Sequence, residues 1–416
     1  MDNKIDDGRE FDLVMWGATG FTGRLVAEYI HERYGTGNEL RWAIAGRSQA
    51  KLESVRAGIG ATADSLPILV GDSRDPVSLA AIAKRSQVIC STVGPFAKYG
   101  SELVAACVAS GTDYCDITGE VQWVRRMIDA HEQQARSTGA RIVHCCGFDS
   151  IPSDLGTLFM NNSMQARHGA PCDEVKLRVR RLRGTFSGGT FASMMTALEE
   201  AKSDPAARRA MGNPYGLNPA DGYRGPDGPD QRGTVWDPDV DSWTAPFVMA
   251  AVNTRVVRRS NALMDYVYGK DFRYDEAMMT GRGVSGWARA NAMTVALGGF
   301  MAAAWLPPTR AILNRLFLPA PGEGPSAEDR ENGFYDIVLI GKAGGSGPRT
   351  LRGRVKGDRD PGYGSTSKML GESAVCLALD RLEVGGGFWT PASAMGADLI
   401  ARLENNAGLS FEIESD

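Results

Sequence analysis

The sequence predicts an α/β protein with two unlike halves, and three observations carry that reading. Short apolar runs alternate with helix-length segments to about residue 150, the first run ends in a glycine-rich turn, and beyond Pro152 apolar residues recur at every second position. Parallel strands need crossover connections, so the first pattern implies a doubly wound parallel sheet of the Rossmann-like kind. Alternation marks a strand with one solvated face, so the rest implies an α+β domain with a mainly antiparallel sheet.

The elements follow in order. Phe11, Leu13, Val14, Met15 and Trp16 lie in the first run, which ends at Gly17, and Leu25, Val26, Tyr29 and Ile30 then recur at helical spacing. Further strands are expected at 42–45, 68–70, 88–91, 113–115 and 142–145, with helices at 103–108 and 121–135. Val175, Leu177 and Val179 alternate with Lys176, Arg178 and Arg180. Residues 204–246, dense in Pro, Gly and Asp, read as a long loop, and strands are expected at 247–257, 334–340 and 351–355. Two closing helices, 367–379 and 392–403, are expected to return to the first domain. The divisions are a nucleotide domain over 1–152, a second domain over 153–364, and a C-terminal helical segment over 365–416 packing back on the first.

Composition narrows the function. Forty-six Lys and Arg against 50 Asp and Glu leave a net charge of −4, so electrostatic capture of nucleic acid is not expected. Cys90, Cys107, Cys115, Cys145, Cys146, Cys172 and Cys376 are too scattered for a disulfide framework. Together with His31, His131, His144 and His168 they show no metal-ligand spacing, and no metal is expected. The polar, acidic stretch 1–10 lacks the apolar core of a secretory signal, which points to the cytoplasm.

Gly17-Ala18-Thr19-Gly20-Phe21-Thr22-Gly23 stands between the first strand and first helix, where a dinucleotide's pyrophosphate is held by backbone N–H groups and a helix N-terminus. At the end of the second strand an NAD site carries an acidic residue for the ribose, whereas this chain has Ala45-Gly46-Arg47-Ser48. Arg47 and Ser48, with Lys51 one turn on, suit a 2′-phosphate, so NADP(H) is the expected cofactor. Asp72 is placed to reach the adenine or its ribose, and Ser91, Val93, Gly94 and Pro95 to run along the cofactor toward the nicotinamide. The loops 116–120 and 146–150 should line the same cleft, at the carboxyl ends of the strands.

These residues, with Tyr114-Cys115-Asp116-Ile117-Thr118-Gly119-Glu120 and Gly147-Phe148-Asp149-Ser150-Ile151-Pro152-Ser153-Asp154, give the chain a resemblance to the saccharopine-dehydrogenase-like oxidoreductases. In the second half, Asn253-Thr254-Arg255-Val256-Val257-Arg258-Arg259-Ser260, Pro321-Gly322-Glu323-Gly324-Pro325-Ser326 and Gly357-Asp358-Arg359-Asp360-Pro361-Gly362-Tyr363-Gly364 resemble the trans-acting enoyl reductase branch. The resemblance implies an NADPH-dependent reductase of a carbon–carbon double bond in a polyketide-type or long acyl chain, partnered by a polyketide synthase. Other readings are saccharopine-like chemistry on another substrate, a non-catalytic NADPH sensor, and a lipid-associated protein using 290–306 and the basic strand 176–183 against a membrane. A homodimer fits any of them.

Residues 290–306 carry no charge and are small and apolar. They read as a buried helix, an acyl-channel wall, a surface-inserting element at the inner face of the plasma membrane, or a short membrane span. Enoyl reduction needs a proton for the α-carbon, and the cleft offers Tyr99, Tyr114, Asp116, Glu120, His144, Asp149 and Tyr363. Tyr99 and Tyr363 are the expected donors, because an ordinary carboxylate is ionised at neutral pH; Glu120 or Asp116 would organise the site.

Overall fold

The computed structural model describes residues 8–37, 39–184, 187–220, 223–306, 308–310, 312–313, 324–344, 347 and 349–414. The readings made of residues 1–7 and of Pro321, Gly322 and Glu323 lie outside that set.

A parallel sheet is built from β1 (Phe11–Trp16), β2 (Trp42–Gly46), β3 (Ile68–Val70), β4 (Ser86–Ser91), β5 (Asp113–Asp116) and β6 (Arg141–Val143). Every residue of β1 is buried, Asp12 included through its pairing with Arg41, because helices cover both faces of the sheet. A second sheet contains β7 (Glu174–Arg183), β8 (Val235–Asp237), β9 (Ser242–Pro246), β10 (Arg273–Gly281), β11 (Phe334–Ala343) and β12 (Arg349–Gly357). Two last strands divide between them, β13 (Gly387–Trp389) beside β6 and β14 (Leu409–Ile413) beside β12. Among the described residues the orders are β13-β6-β5-β4-β1-β2-β3 and β14-β12-β11-β7-β10-β9-β8. The connections reverse direction between β1 and β4, which opens a crevice at the carboxyl ends of those strands. The second sheet is mostly antiparallel, with β7 and β10 parallel.

The chain's last segment holds the halves together. The helix Thr366–Leu379 packs on the helix Phe21–Tyr34, where Tyr29 and Tyr34 donate from Oη to Glu372 Oε1 at 2.5 and 2.7 Å. Strand β14 joins the second sheet beside β12, so the C-terminal segment also reaches the second domain.

Three expectations change. Residues 247–257 are not a strand; they enter the helix Ala250–Leu263, where Arg255, Arg258 and Arg259 are buried. The Val-rich run reads as β by composition, but Arg255 pairs with Asp230 and Arg258 with Asp227, partners reached only from a helix face. Asp227 and Asp230 lie in the stretch 204–246, which is more than a loop: it contains the helix Pro205–Gly212 and strands β8 and β9. Two basic positions of β7 also have inner partners: Lys176 Nζ meets Asp239 at 2.6 Å and the buried Arg178 Nε meets Asp237 at 2.7 Å, whereas Arg180, Arg181 and Arg183 are exposed.

Candidate active site

Gly17 holds φ +91°, and a Cβ there would come within 2.5 Å of a Val93 methyl. A Cβ on Gly23 would lie 2.1 Å from the Gly17 carbonyl oxygen, so the helix Phe21–Tyr34 starts directly on the loop. No side chain caps that helix, because Gly20 holds the N-cap position, and its first N–H groups are left to a phosphate. Gly17 N donates to Ala45 O at 2.9 Å and Thr92 N to Trp16 O at 3.2 Å, which brings Ala18, Thr19, Phe21 and Thr22 beside the ends of β2 and β4. Ser91 and Pro95 flank this crossing.

Arg47 is exposed and has no carboxylate partner among the described residues; Lys51 is exposed one turn away. Ser48 Oγ accepts from Lys51 N at 3.4 Å, which leaves its hydroxyl hydrogen for a ligand. The Asp72 carboxylate accepts from Arg74 N at 2.9 Å, in the loop after β3. Bare glycine loop, uncapped helix and unpaired guanidinium together fit a dinucleotide with a 2′-phosphate.

Beyond this loop lies a cavity of about 670 Å³. Thr22, Thr92, Gly94, Ile117 and Gly119 line its nucleotide end; Phe247, Met249, Leu297 and Met301 line its far end. A second cavity of about 360 Å³ shares Ile117, Asp149, Thr190, Phe247 and Leu297 with it, so the two adjoin across these side chains. Its length is supplied by the helix Gly283–Trp305, which contains the uncharged run seen in the sequence. Thr294, Leu297, Gly298 and Met301 form its inner face, while most of its outer face is exposed. The run is therefore a cavity wall rather than a buried helix, and no helix among the described residues is long and apolar enough to cross a membrane.

The four expected catalytic residues stand behind the cavity, and none lines it. Asp116 is fully buried at the end of β5, accepts from Thr118 N at 3.0 Å, and faces His144 Nδ1 at 2.8 Å. Glu120 accepts from Phe96 N at 2.7 Å, Ala97 N at 2.8 Å and Ser193 Oγ at 2.6 Å; burial raises its pKa against those bonds. Tyr363 accepts from Gly188 N at 2.9 Å and sets its ring edge-on to Phe21, 4.9 Å between centroids; burial raises its pKa. The Arg74 guanidinium lies over the Tyr99 ring, 5.8 Å from its centroid.

Asp149 is the carboxyl on the wall common to both cavities. Burial raises its pKa to about 6, against a hydrogen bond from Thr190 that favours the charged form. Gln122, also on the wall, donates from Nε2 to Glu200 at 3.1 Å and leaves a buried Oε1 without a partner. Thr190, Ser193 and Gln122 carry no motif, and only their helical spacing toward the cleft could have drawn notice.

Residues 13–143 match the family model of the saccharopine dehydrogenase NADP binding domain, which makes NADP(H) the cofactor. A Mycobacterium tuberculosis (strain ATCC 25618 / H37Rv) protein, provisionally named a trans-acting enoyl reductase, is 44% identical over 418 residues, 97% of each chain. The trans-acting enoyl reductase of Mycobacterium ulcerans (strain Agy99) is 41% identical over 411 residues, 95% of this chain and 96% of its own. In fold the chain is similar to apo saccharopine dehydrogenase (L-Glu forming) of Saccharomyces cerevisiae, with TM-score 0.53, 12% identity and coverage of 97% of this chain and 99% of that one. The chain belongs to the trans-acting enoyl reductase family, and its nucleotide half is a saccharopine dehydrogenase NADP-binding domain.

Proposed function

We propose that this protein reduces the carbon–carbon double bond of a long acyl or polyketide-type chain, presented by a polyketide synthase that works beside it. The observation that supports this best is the apolar cavity running from Thr22, Thr92 and Gly94 to Leu297 and Met301, with Asp149 on its wall. A multiply charged substrate of the saccharopine type fits it less well, because Arg255, the buried cation on the wall, is already paired with Asp230.

NADPH held on the glycine loop, with its 2′-phosphate at Arg47, Ser48 and Lys51, supplies a hydride for the β-carbon. The protein's own work is to hold the chain, exclude water and supply a proton. Phe247, Met249, Leu297 and Met301 cover the chain with apolar surface. Asp149 in its protonated form gives its proton to the α-carbon as the enolate collapses, and the carboxylate left behind regains a proton from water. Thr190 fixes the orientation of that carboxyl. A peripheral position at the inner face of the plasma membrane belongs to the same reading.

The test is NADPH oxidation by the purified protein with a synthase-bound or carrier-bound enoyl thioester. Formation of the saturated product supports the reading. Turnover of an amino-acid adduct but not of the thioester overturns it.

A further inference from the structure

The helix Gly283–Trp305 is apolar on the side that faces away from the cavity as well as on the side that lines it. Val284 and Val295 are 82% and 74% exposed, and Ala292, Ala296 and Leu306 are exposed with them. Trp287 and Trp305, both exposed, stand about five helical turns and about 27 Å apart and share the azimuth of Thr294 and Gly298, so their indoles border the cavity side of the helix rather than its outer face. Soluble surfaces seldom carry a contiguous apolar face of this length without covering it.

Charge says what covers it. Residues 277–322 hold Arg282, Arg289, Arg310 and Arg315 and no Asp or Glu. Arg282 is paired with Asp241 and Arg310 with Glu199, whereas Arg289 has no carboxylate partner among the described residues. Lys202, half-buried, stacks over the Trp305 ring at 4.9 Å. An exposed, apolar, acid-free helix face with an unpaired arginine beside it has the make-up of an element lying in an anionic membrane surface.

We propose that the outer face of the helix Gly283–Trp305 docks on an anionic phospholipid bilayer, so that one helix is at once the membrane contact and the wall of the acyl cavity. A chain leaving the bilayer then passes a single helix thickness to reach Thr294, Leu297 and Met301. This delivery step rests on the acyl-substrate reading; the docking itself does not.

The experiment is flotation of the full-length protein with phosphatidylcholine vesicles, with and without phosphatidylglycerol. Binding is expected on the phosphatidylglycerol vesicles and is expected to weaken with added salt. Val295→Asp should lower it roughly tenfold, and Arg289→Gln about fivefold. Val295 lines neither cavity, so NADPH affinity in Val295→Asp should match the parent and report an intact fold. Two results overturn the proposal: no binding to anionic vesicles, or binding indifferent to Val295→Asp. Vesicle binding reads no turnover, so it can stand where the reductase reading falls, and the reverse.

Discussion

Glu120 and Ser193 meet at 2.6 Å between a carboxylate and a hydroxyl, and that bond ties the nucleotide loop to the cavity. The same carboxylate accepts from Phe96 N and Ala97 N, the start of the short helix after Gly94 and Pro95, while Ser193 lines the cavity from the helix Gly188–Ser203. One buried side chain thereby links the two walls, beside the Gln122–Glu200 and Arg126–Glu200 contacts farther along the same helix.

Glu120→Ala is expected to leave two buried N–H groups and the Ser193 hydroxyl unpaired. The cost is about 1–3 kcal/mol of stability for each group that finds no water. Thermal unfolding and NADPH titration check this: unfolding temperature should fall, and turnover should fall further than NADPH affinity because the cavity wall loses its tie. Glu120→Gln, which keeps an acceptor oxygen, should recover part of the stability.

Arg47→Ala should weaken NADPH binding by about 10- to 100-fold and leave NADH nearly unchanged, since a charge-assisted contact to a phosphate is worth roughly 1.5–3 kcal/mol. The measurement is the ratio of the two dissociation constants. Equal weakening of both cofactors would place Arg47 outside the 2′-phosphate site.

Asp149→Asn should cut turnover about 10²- to 10⁴-fold with NADPH affinity unchanged. The parent enzyme needs Asp149 protonated. With a pKa of about 6, its kcat/KM should decline as pH rises through about 6, and the decline should be missing from the residual rate of the variant. A parent profile flat from pH 5 to 8 would remove Asp149 from the donor role.

How legible this was from the residues differs between the halves. The nucleotide site could be read because each part of it is local: Gly17, Gly20 and Gly23 share one turn, and Arg47 follows the next strand directly. The catalytic cavity could not, because its parts meet only in three dimensions. Asp149 comes from the loop after β6, Thr190 from a helix some forty residues later and Leu297 from a third element, with no spacing to connect them. The ordinary acidity of a carboxyl points to the tyrosines as donors, and local pattern does not reveal the burial that raises the Asp149 pKa to about 6. The helix Ala250–Leu263 was misread for a related reason: the buried ion pairs Arg255–Asp230 and Arg258–Asp227 that make it tolerable close across a stretch of Pro and Gly whose path local pattern does not reveal.

Two further buried carboxyls give the protein an unusual pH response. Glu276 accepts from Tyr274 Oη at 2.7 Å and Asn253 Nδ2 at 3.0 Å, and Asp154 accepts from Ala392 N at 2.8 Å and from Ser260; burial raises each to about 7. A carboxyl raised on folding binds its proton more tightly in the folded chain than in the unfolded one. Its contribution is therefore fully present below the unfolded pKa of about 4 and is lost as pH rises through about 7. Stability from these two sites should thus decline across pH 4–7, the reverse of the usual paired carboxylate. Glu276→Gln and Asp154→Asn keep hydrogen-bonding groups in place without a titrating proton. Denaturant unfolding across that range should show, relative to the parent, a stability difference that shifts in favour of each variant as pH rises from about 4 to about 7, most in the double variant, while a difference that stays constant across that range would mean that Glu276 and Asp154 do not take up protons on folding.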